Sequence, residues 1–270
     1  MYGLLLEAIY AALRERYGDE VWNEIRAIGN VDQHGFVTHE YYSETLIPQI
    51  TNAVCIATGS RPGDIMQYFG FFFVDYCAKY GYDNILKVLG RNMRDFLNGL
   101  DNLHEYLRMS YPKMSAPSFH CDNETKYGLT LHYRSKRKGF IHYVMGQIRQ
   151  VGLKFYDTDM ELEILHLEET NSGTVAILQL HFDNKGFVER EEKKKLKLNP
   201  QDKFPIKSEV FFKAFPFHVM FGRDMVVKSV GTGLCAVIKH IKGKKVDRAF
   251  DLVRPPLDFI FQNVSCFFLR

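Results

Sequence analysis

The chain has 270 residues, of which 46% are hydrophobic and 25% are charged. This length and composition allow a sizeable core and predict one large domain plus a second part. The net charge of +3 is too small to indicate a nucleic-acid partner, and no apolar stretch is long enough to predict a transmembrane helix. The five cysteines are odd in number and form no close-spaced metal motif, which favours a reduced, cytoplasmic setting.

The first part of the chain is predicted to be helical. Apolar residues at three- and four-residue steps indicate helices at 2–17, 19–28 and 40–58. A fourth helix should begin near Pro62 and end at Gly81. It carries Phe73 among several aromatic residues and is apolar nearly all round, so it should be deeply buried. Such a helix could form the wall of a site for a flat aromatic cofactor, although a plain core helix explains the pattern equally well.

Residues 94–108 form an amphipathic pattern that includes a histidine. Its apolar stripe consists of Phe96, Leu97, Leu100, Leu103 and Leu107. His104 follows Leu100 by about one helical turn, so it points into or beside the stripe. A histidine in this position is most often a core residue bonded to backbone, but imidazole is also a common axial ligand of haem iron.

The pattern changes after Pro112 to the short alternation that is typical of strands. Strands are predicted at 118–121, 129–133, 160–167 and 175–182, with a helix at 139–156 between the second and the third. Helices followed by a small antiparallel sheet predict a mixed α+β fold.

The second predicted strand leads into an alternation of Tyr133, Ser135 and Arg137. In extended backbone these side chains would share one face and offer two hydroxyls and a guanidinium to one anionic group. Arginine suits a carboxylate because its planar fork can bond to both oxygens. The solvent-exposed face of an ordinary strand shows the same alternation of polar residues. A ligand that contains both a metal ion and carboxylates would use this set together with His104, and haem is such a ligand.

The polar stretch 184–204 predicts a solvated linker or a strand edge. Beyond it, residues 217–221 and 225–230 flank a Gly-Arg-Asp turn and predict a hairpin. Gly231 and Gly233 then nearly match a dinucleotide-binding fingerprint. The strand that should follow would run through Lys242 to Lys245, which is not the apolar pattern of a parallel strand. A nucleotide-dependent enzyme is therefore a minor alternative.

Several motifs together resemble the haem nitric oxide/oxygen binding domain, most closely that of the beta-type subunits of soluble guanylate cyclase. They are Met1-Tyr2-Gly3, the run from Gly81 to Gly90, Leu103-His104-Glu105-Tyr106-Leu107, Ala116-Pro117-Ser118-Phe119 and Tyr133-x-Ser135-x-Arg137. The resemblance covers residues 1–183, followed by the linker at 184–204. Residues 205–270 resemble the PAS-like domain that follows in guanylate cyclase subunits, and this α/β segment is expected to be incomplete.

The resemblance implies haem b as the cofactor and assigns roles to individual residues. His104 would be the iron ligand, and Tyr133, Ser135 and Arg137 would bind the haem propionates. Pro117 would pack against the porphyrin. The expected pocket lining is Tyr2, Leu4, Leu5, Phe73 and Tyr143.

The position of Tyr143 bears on gas preference. Aligning Gly139 and Gly146 with the family pattern places Tyr143 where oxygen-binding relatives have a distal tyrosine. The helical wheel disagrees, because it places Tyr143 opposite the stripe centred on Val144 and Ile148, on the polar side of the helix.

The function implied is a haem-based sensor of nitric oxide, oxygen or both, with carbon monoxide as a further ligand. It would be the regulatory region of a cytoplasmic guanylate cyclase subunit that controls cyclic GMP synthesis with a second subunit. No cyclase domain follows, so this chain is expected to sense and not to catalyse alone. The alternative from another class is a PAS-type interaction module without gas sensing.

Overall fold

The computed structural model describes residues 2–196, 208–253 and 258–268. The chain forms two compact units, Met1–Glu191 and Glu192–Arg270. The first unit begins with five helices. They are α1 (Gly3–Gly29), α2 (Leu46–Thr58), α3 (Pro62–Lys79), α4 (Asp83–Lys87) and α5 (Met93–Ser110). None of the helices in the described residues combines the length and the hydropathy that crossing a bilayer requires.

The helix boundaries follow local chemistry. The helices predicted at 2–17 and 19–28 meet in a kink at Gly18, whose φ of 82° lies in the left-handed region that glycine tolerates. The helix predicted at 40–58 begins only at Leu46, so its predicted start is wrong. Pro48 explains the difference, because a proline ring is tolerated in the first turn of a helix but collides with the carbonyl group four residues earlier in its interior.

Residues Ile141–Tyr156 form α6, which packs closely along α3. A Cβ atom on Gly70 of α3 would lie 1.8 Å from the carbonyl oxygen of Tyr143, and one on Gly146 would lie 2.0 Å from that of Gln67. Only glycine permits this approach of the two backbones. The core of the N-terminal helices includes Leu6 and Phe69, both almost completely buried.

The sheet of the first unit has four strands, and all neighbouring pairs are antiparallel. The strands are β1 (Ser118–Thr125), β2 (Gly128–Ser135), β3 (Glu161–Thr170) and β4 (Gly173–His181), in the order β1-β2-β4-β3. One face of the sheet packs against α6, where Leu131 and Leu178 share a core with Val144 and Ile148. The predicted α+β fold with a small antiparallel sheet is confirmed.

Residues Lys185–Leu196 form α7, so the first part of the predicted linker is helical and is not a strand edge. Asn184 begins the helix by accepting a hydrogen bond from the Phe187 backbone N–H at 3.1 Å. Glu, Lys and Arg, which dominate the stretch, also have high helix propensity. Residues 197–204 lie outside the described part of the chain.

The second unit contains short elements. They are α8 (Ser208–Ala214), β5 (Val219–Phe221), β6 (Val227–Val230), α9 (Thr232–Val237), α10 (Val246–Ala249) and α11 (Phe261–Phe268). Strands β5 and β6 pair antiparallel, which confirms the predicted hairpin. A dinucleotide site needs a parallel sheet, and the described part of this unit has only the antiparallel pair. Gly231 instead allows close backbone packing, since a Cβ there would lie 2.2 Å from the Pro216 carbonyl oxygen. The hypothesis of a nucleotide-binding site at Gly231 and Gly233 therefore lacks the parallel sheet that such a site requires.

Candidate haem-binding site

The end of β2 presents Tyr133 and Ser135 to the interior. Tyr133 is 2% exposed and Ser135 is 7% exposed, whereas Arg134 and Lys136 face outwards. The interpretation of this alternation as a solvated face is wrong, because the two hydroxyl residues are on the buried side of the strand.

Arg137 lies in the bend after β2, so the expectation of a continuous strand through Arg137 is wrong. The hydroxyl oxygen of Ser135 accepts a hydrogen bond from the Arg137 backbone N–H at 3.0 Å, which turns the chain. The Thr174 hydroxyl donates to the Arg137 carbonyl oxygen at 2.9 Å and holds the bend against β4. The three side chains still interact: burial raises the pKa of Tyr133, while its hydrogen bond with Ser135 and the charge of Arg137 oppose that rise.

Arg137 is engaged by a carboxylate. Its Nε donates to Oε1 of Glu44 at 3.2 Å, and its side chain is only 13% exposed. The guanidinium carbon lies 5.9 Å from the centre of the Phe140 ring. The Glu44 carboxylate is the same chemical group as a haem propionate, so this guanidinium pairs with a group of that chemistry in the structure.

His104 lies on α5, which is fixed along the edge of β1. The Asn98 side-chain oxygen accepts from the Cys121 backbone N–H at 3.1 Å. The Asp101 carboxylate accepts from the Phe119 backbone N–H at 3.1 Å and from the Ser118 hydroxyl at 2.7 Å. These side chains satisfy the otherwise free edge of the strand. They place His104, three residues after Asp101, over the start of β1.

Phe119 connects His104 to the end of β2. The half-buried His104 ring centre lies 6.2 Å from that of Phe119, which lies 5.7 Å from that of Tyr133. The predicted iron ligand and Tyr133, one of the predicted propionate-binding residues, therefore border one aromatic side chain. Pro117 is half-buried and immediately precedes β1.

The other predicted lining residues belong to the N-terminal helices. Leu4, Leu5 and Phe73 are half-buried against the core of α1–α3, which is a different cluster from the one that holds Phe119 and Tyr133. Tyr2 packs its ring on Tyr111, just after α5, with 5.0 Å between ring centres.

Tyr143 is 3% exposed, so the helical-wheel prediction of a polar-side position is wrong. Helix α6 is buried on two sides: Val144 and Ile148 face the sheet, and Tyr143 packs with the helical core. The Tyr143 ring centre lies 6.0 Å from that of Phe73 and 5.9 Å from that of Phe140. Its hydroxyl has no hydrogen-bond partner among the described residues. Burial raises the pKa of Tyr143 well above its usual value, so the hydroxyl keeps its proton and can donate.

These residues fit haem chemically. The set comprises an imidazole, two hydroxyls and a guanidinium next to aromatic side chains. The buried Tyr143 hydroxyl is also able to donate a hydrogen bond. Sequence reasoning missed Glu44 and Phe140 as partners of Arg137. No spacing rule could have found Glu44, because it is 93 residues from Arg137.

Known proteins resemble this chain over most of its length. The family model for haem-NO-binding proteins matches residues 2–164, and that for the heme NO binding associated domain matches residues 204–267. Soluble guanylate cyclase gcy-31 of Caenorhabditis elegans is 39% identical over 98% of this chain and 38% of its own length. Soluble guanylate cyclase 89Da of Drosophila melanogaster is 30% identical over 86% of this chain and 37% of its own. The chain thus spans less than half the length of these relatives.

Solved structures share the fold of the first unit. An oxygen-binding H-NOX domain related to soluble guanylate cyclases, in its oxygen complex, has a TM-score of 0.56 and 20% identity over 68% of this chain and 96% of its own. An unliganded Fe(II) H-NOX protein mutant from K. algicida has a TM-score of 0.59 and 17% identity over 69% of this chain and 100% of its own. Because a family model covers more than half of its residues, the chain belongs to the haem-NO-binding family.

Proposed function

We propose that this chain is the haem-based gas-sensing region of a guanylate cyclase subunit. The observation that carries the proposal is that His104 on α5 and Tyr133 on β2 both lie beside Phe119, with Ser135 and Arg137 next along the chain from Tyr133. In relatives named as soluble guanylate cyclases this region forms part of a longer protein. The domain limits that we propose are 1–183 for the haem domain and 205–270 for the PAS-like segment, joined at 184–204.

Each residue would have a distinct role toward haem b. His104 would bind the iron through a neutral ring nitrogen. Arg137 would exchange the Glu44 carboxylate for a propionate, and the hydroxyls of Tyr133 and Ser135 would complete that anchor. Pro117 would pack on the porphyrin, and Tyr2, Leu4, Leu5 and Phe73 would keep the site dry. When bound, the haem would supply an open iron coordination position for a diatomic gas.

Tyr143 favours oxygen as one of the gases sensed. Its buried hydroxyl is protonated and has no partner among the described residues. A hydrogen bond from this hydroxyl would stabilise a gas ligand that gathers negative charge, as dioxygen does, more than nitric oxide or carbon monoxide. We therefore include oxygen beside nitric oxide among the proposed ligands.

Signalling would pass through α5. The side chains of Asn98 and Asp101 hold the first half of this helix, whereas its last turns beyond His104 are largely exposed. Weakening of the bond from His104 would free this second half and, through the rigid helix, also the first turn at Arg94, which would shift the population of two arrangements. The movement would regulate cyclic GMP synthesis by the cytoplasmic cyclase, assembled with a second subunit.

A purified haem-loaded chain is the direct test of the proposal. We expect one haem per chain and a Soret absorption band that changes position when nitric oxide, carbon monoxide or oxygen is added. A chain that takes up no haem under reconstitution, yet binds a protein partner through its PAS-like segment, would favour the interaction module instead.

The propionate anchor predicts a ranking of two variants. Arg137→Ala should loosen haem more than Ser135→Ala, because a charge-assisted hydrogen bond is roughly twice as strong as a neutral one. The measurement is the rate of haem transfer to a scavenger globin. Arg134→Ala is the matched control, since Arg134 is exposed on the same strand. Equal transfer rates for all three variants and the wild type would show that this end of β2 does not hold the propionates.

A further inference from the structure

A largely buried carboxylate joins two helices of the first unit. Glu124 on β1 is held by Nε of Arg94, which lies 3.3 Å from Oε2, while Oε1 accepts from Nη2 of Arg190. Asn184 also donates to Oε1, at 3.1 Å. The Glu124 side chain is 9% exposed, so these three partners replace most of its water. We name Glu124, Arg94, Asn184 and Arg190 the Glu124 bridge.

The start of α7 is fixed at the same place. The Asn184 backbone N–H donates to the Lys126 carbonyl oxygen at 3.1 Å. The side-chain nitrogen of Asn184 donates to the Thr125 carbonyl oxygen at 3.0 Å. A Cβ on Gly186 would lie 2.7 Å from Cβ of Asn92, the residue that caps α5. The first turns of α5 and α7 therefore pack directly against each other beside the β1–β2 turn.

The two helices have different places in the proposed signal path. Helix α5 carries His104, ten residues beyond Arg94, which corresponds to about 15 Å along a rigid helix. Helix α7 is the last element of the first unit, and the chain passes through it into the second unit after Glu191. The Glu124 bridge is thus the point at which the helix of the proposed iron ligand and the helix that leaves the unit share one negative charge.

We propose that the Glu124 bridge couples the position of α5 to the docking of α7. While Arg94 binds Oε2, the carboxylate is oriented so that Oε1 faces Arg190 and Asn184. Displacement of α5 withdraws Arg94, so the buried Glu124 carboxylate loses one of its two arginine partners. The contacts of the carboxylate with Arg190 and the start of α7 are then weakened. Only the event that displaces α5 rests on the proposed gas-sensing function; the coupling itself is a property of the described contacts.

Hydrogen exchange in the full chain tests the coupling. In Arg94→Gln we expect the backbone amides of residues 187–191 to exchange about threefold to tenfold faster than in the wild type, although Arg94 is not on α7. Arg108→Gln is the matched control, because Arg108 is on the same helix in an exposed pair with Glu105 at 3.5 Å. It should leave α7 unchanged.

Two further variants keep the result interpretable. Glu124→Gln preserves the shape of the side chain and should speed exchange at the starts of both helices, and Arg94→Lys should give a smaller change at α7 than Arg94→Gln. Exchange at α7 that is unchanged or slower in Arg94→Gln, while Arg190→Gln accelerates it, would overturn the proposal, because the two arginines would then act independently or compete.

Haem content, measured on the same variants, separates this proposal from the function proposed above. Normal haem content together with unchanged α7 exchange in Arg94→Gln would overturn the coupling alone. Faster α7 exchange in a chain that binds no haem would support the coupling and remove the gas-sensing role.

Discussion

Replacement of His104 by glycine is expected to abolish stable haem binding by this chain. Imidazole would be the only protein group bonded to the iron, and the anchor on Arg137 would hold only the porphyrin edge. Loss of an outer-shell partner alone typically costs about 10–100-fold in metal affinity, so loss of the ligand itself should cost more than about tenfold. Haem content after reconstitution, read from the Soret band against protein concentration, is the measurement.

Free imidazole provides a second readout for the same variant. The glycine leaves space beside Phe119, so added imidazole should restore haem content and give a spectrum close to that of the wild type. His166→Gly is the matched control, since His166 lies on the exposed strand β3 with a side chain that is 55% exposed. A normal, imidazole-independent spectrum in His104→Gly would show that another group binds the iron.

Replacement of Tyr143 by phenylalanine is expected to speed the release of oxygen from the haem-loaded chain. The hydrogen bond from the hydroxyl would contribute about 0.5–1.5 kcal/mol, and up to about 3 kcal/mol toward a charged acceptor. At about 1.4 kcal/mol per tenfold, the oxygen dissociation rate should rise roughly threefold to a hundredfold. Dissociation of nitric oxide and carbon monoxide should change less. Stopped-flow measurement of all three gases checks the prediction.

The same substitution should have little effect on the fold. The Tyr143 hydroxyl is buried and has no partner among the described residues, so its removal costs no hydrogen bond there. We expect the free energy of unfolding of the haem-free chain to be unchanged or slightly higher. Tyr127→Phe, at a side chain that is exposed, is the control for oxygen release. If Tyr143→Phe releases oxygen at the wild-type rate, Tyr143 is only a core residue and the gas preference rests on other groups.

The sequence by itself determined the order and type of most elements in the first unit. The leucine stripe around His104 predicted α5, and the alternation after Pro112 predicted the four strands, because helix and strand periods reflect neighbours within a few residues. The ordered motifs also indicated the family and a set of candidate site residues. Local signals were weaker at element ends. With Pro48 in its first turn, α2 begins at Leu46 and not at residue 40, and Asn184 begins a helix where a polar linker was expected.

Only the tertiary structure decided how those residues are used. The helical wheel assumes one buried face, but α6 lies between the sheet and α3, so Tyr143 is buried on the side that the wheel assigned to solvent. Arg137 meets Glu44 across 93 residues, and Glu124 meets Arg94 and Arg190 from two helices. Such contacts depend on which elements pack together, a long-range property that the periodicity of a single segment does not encode.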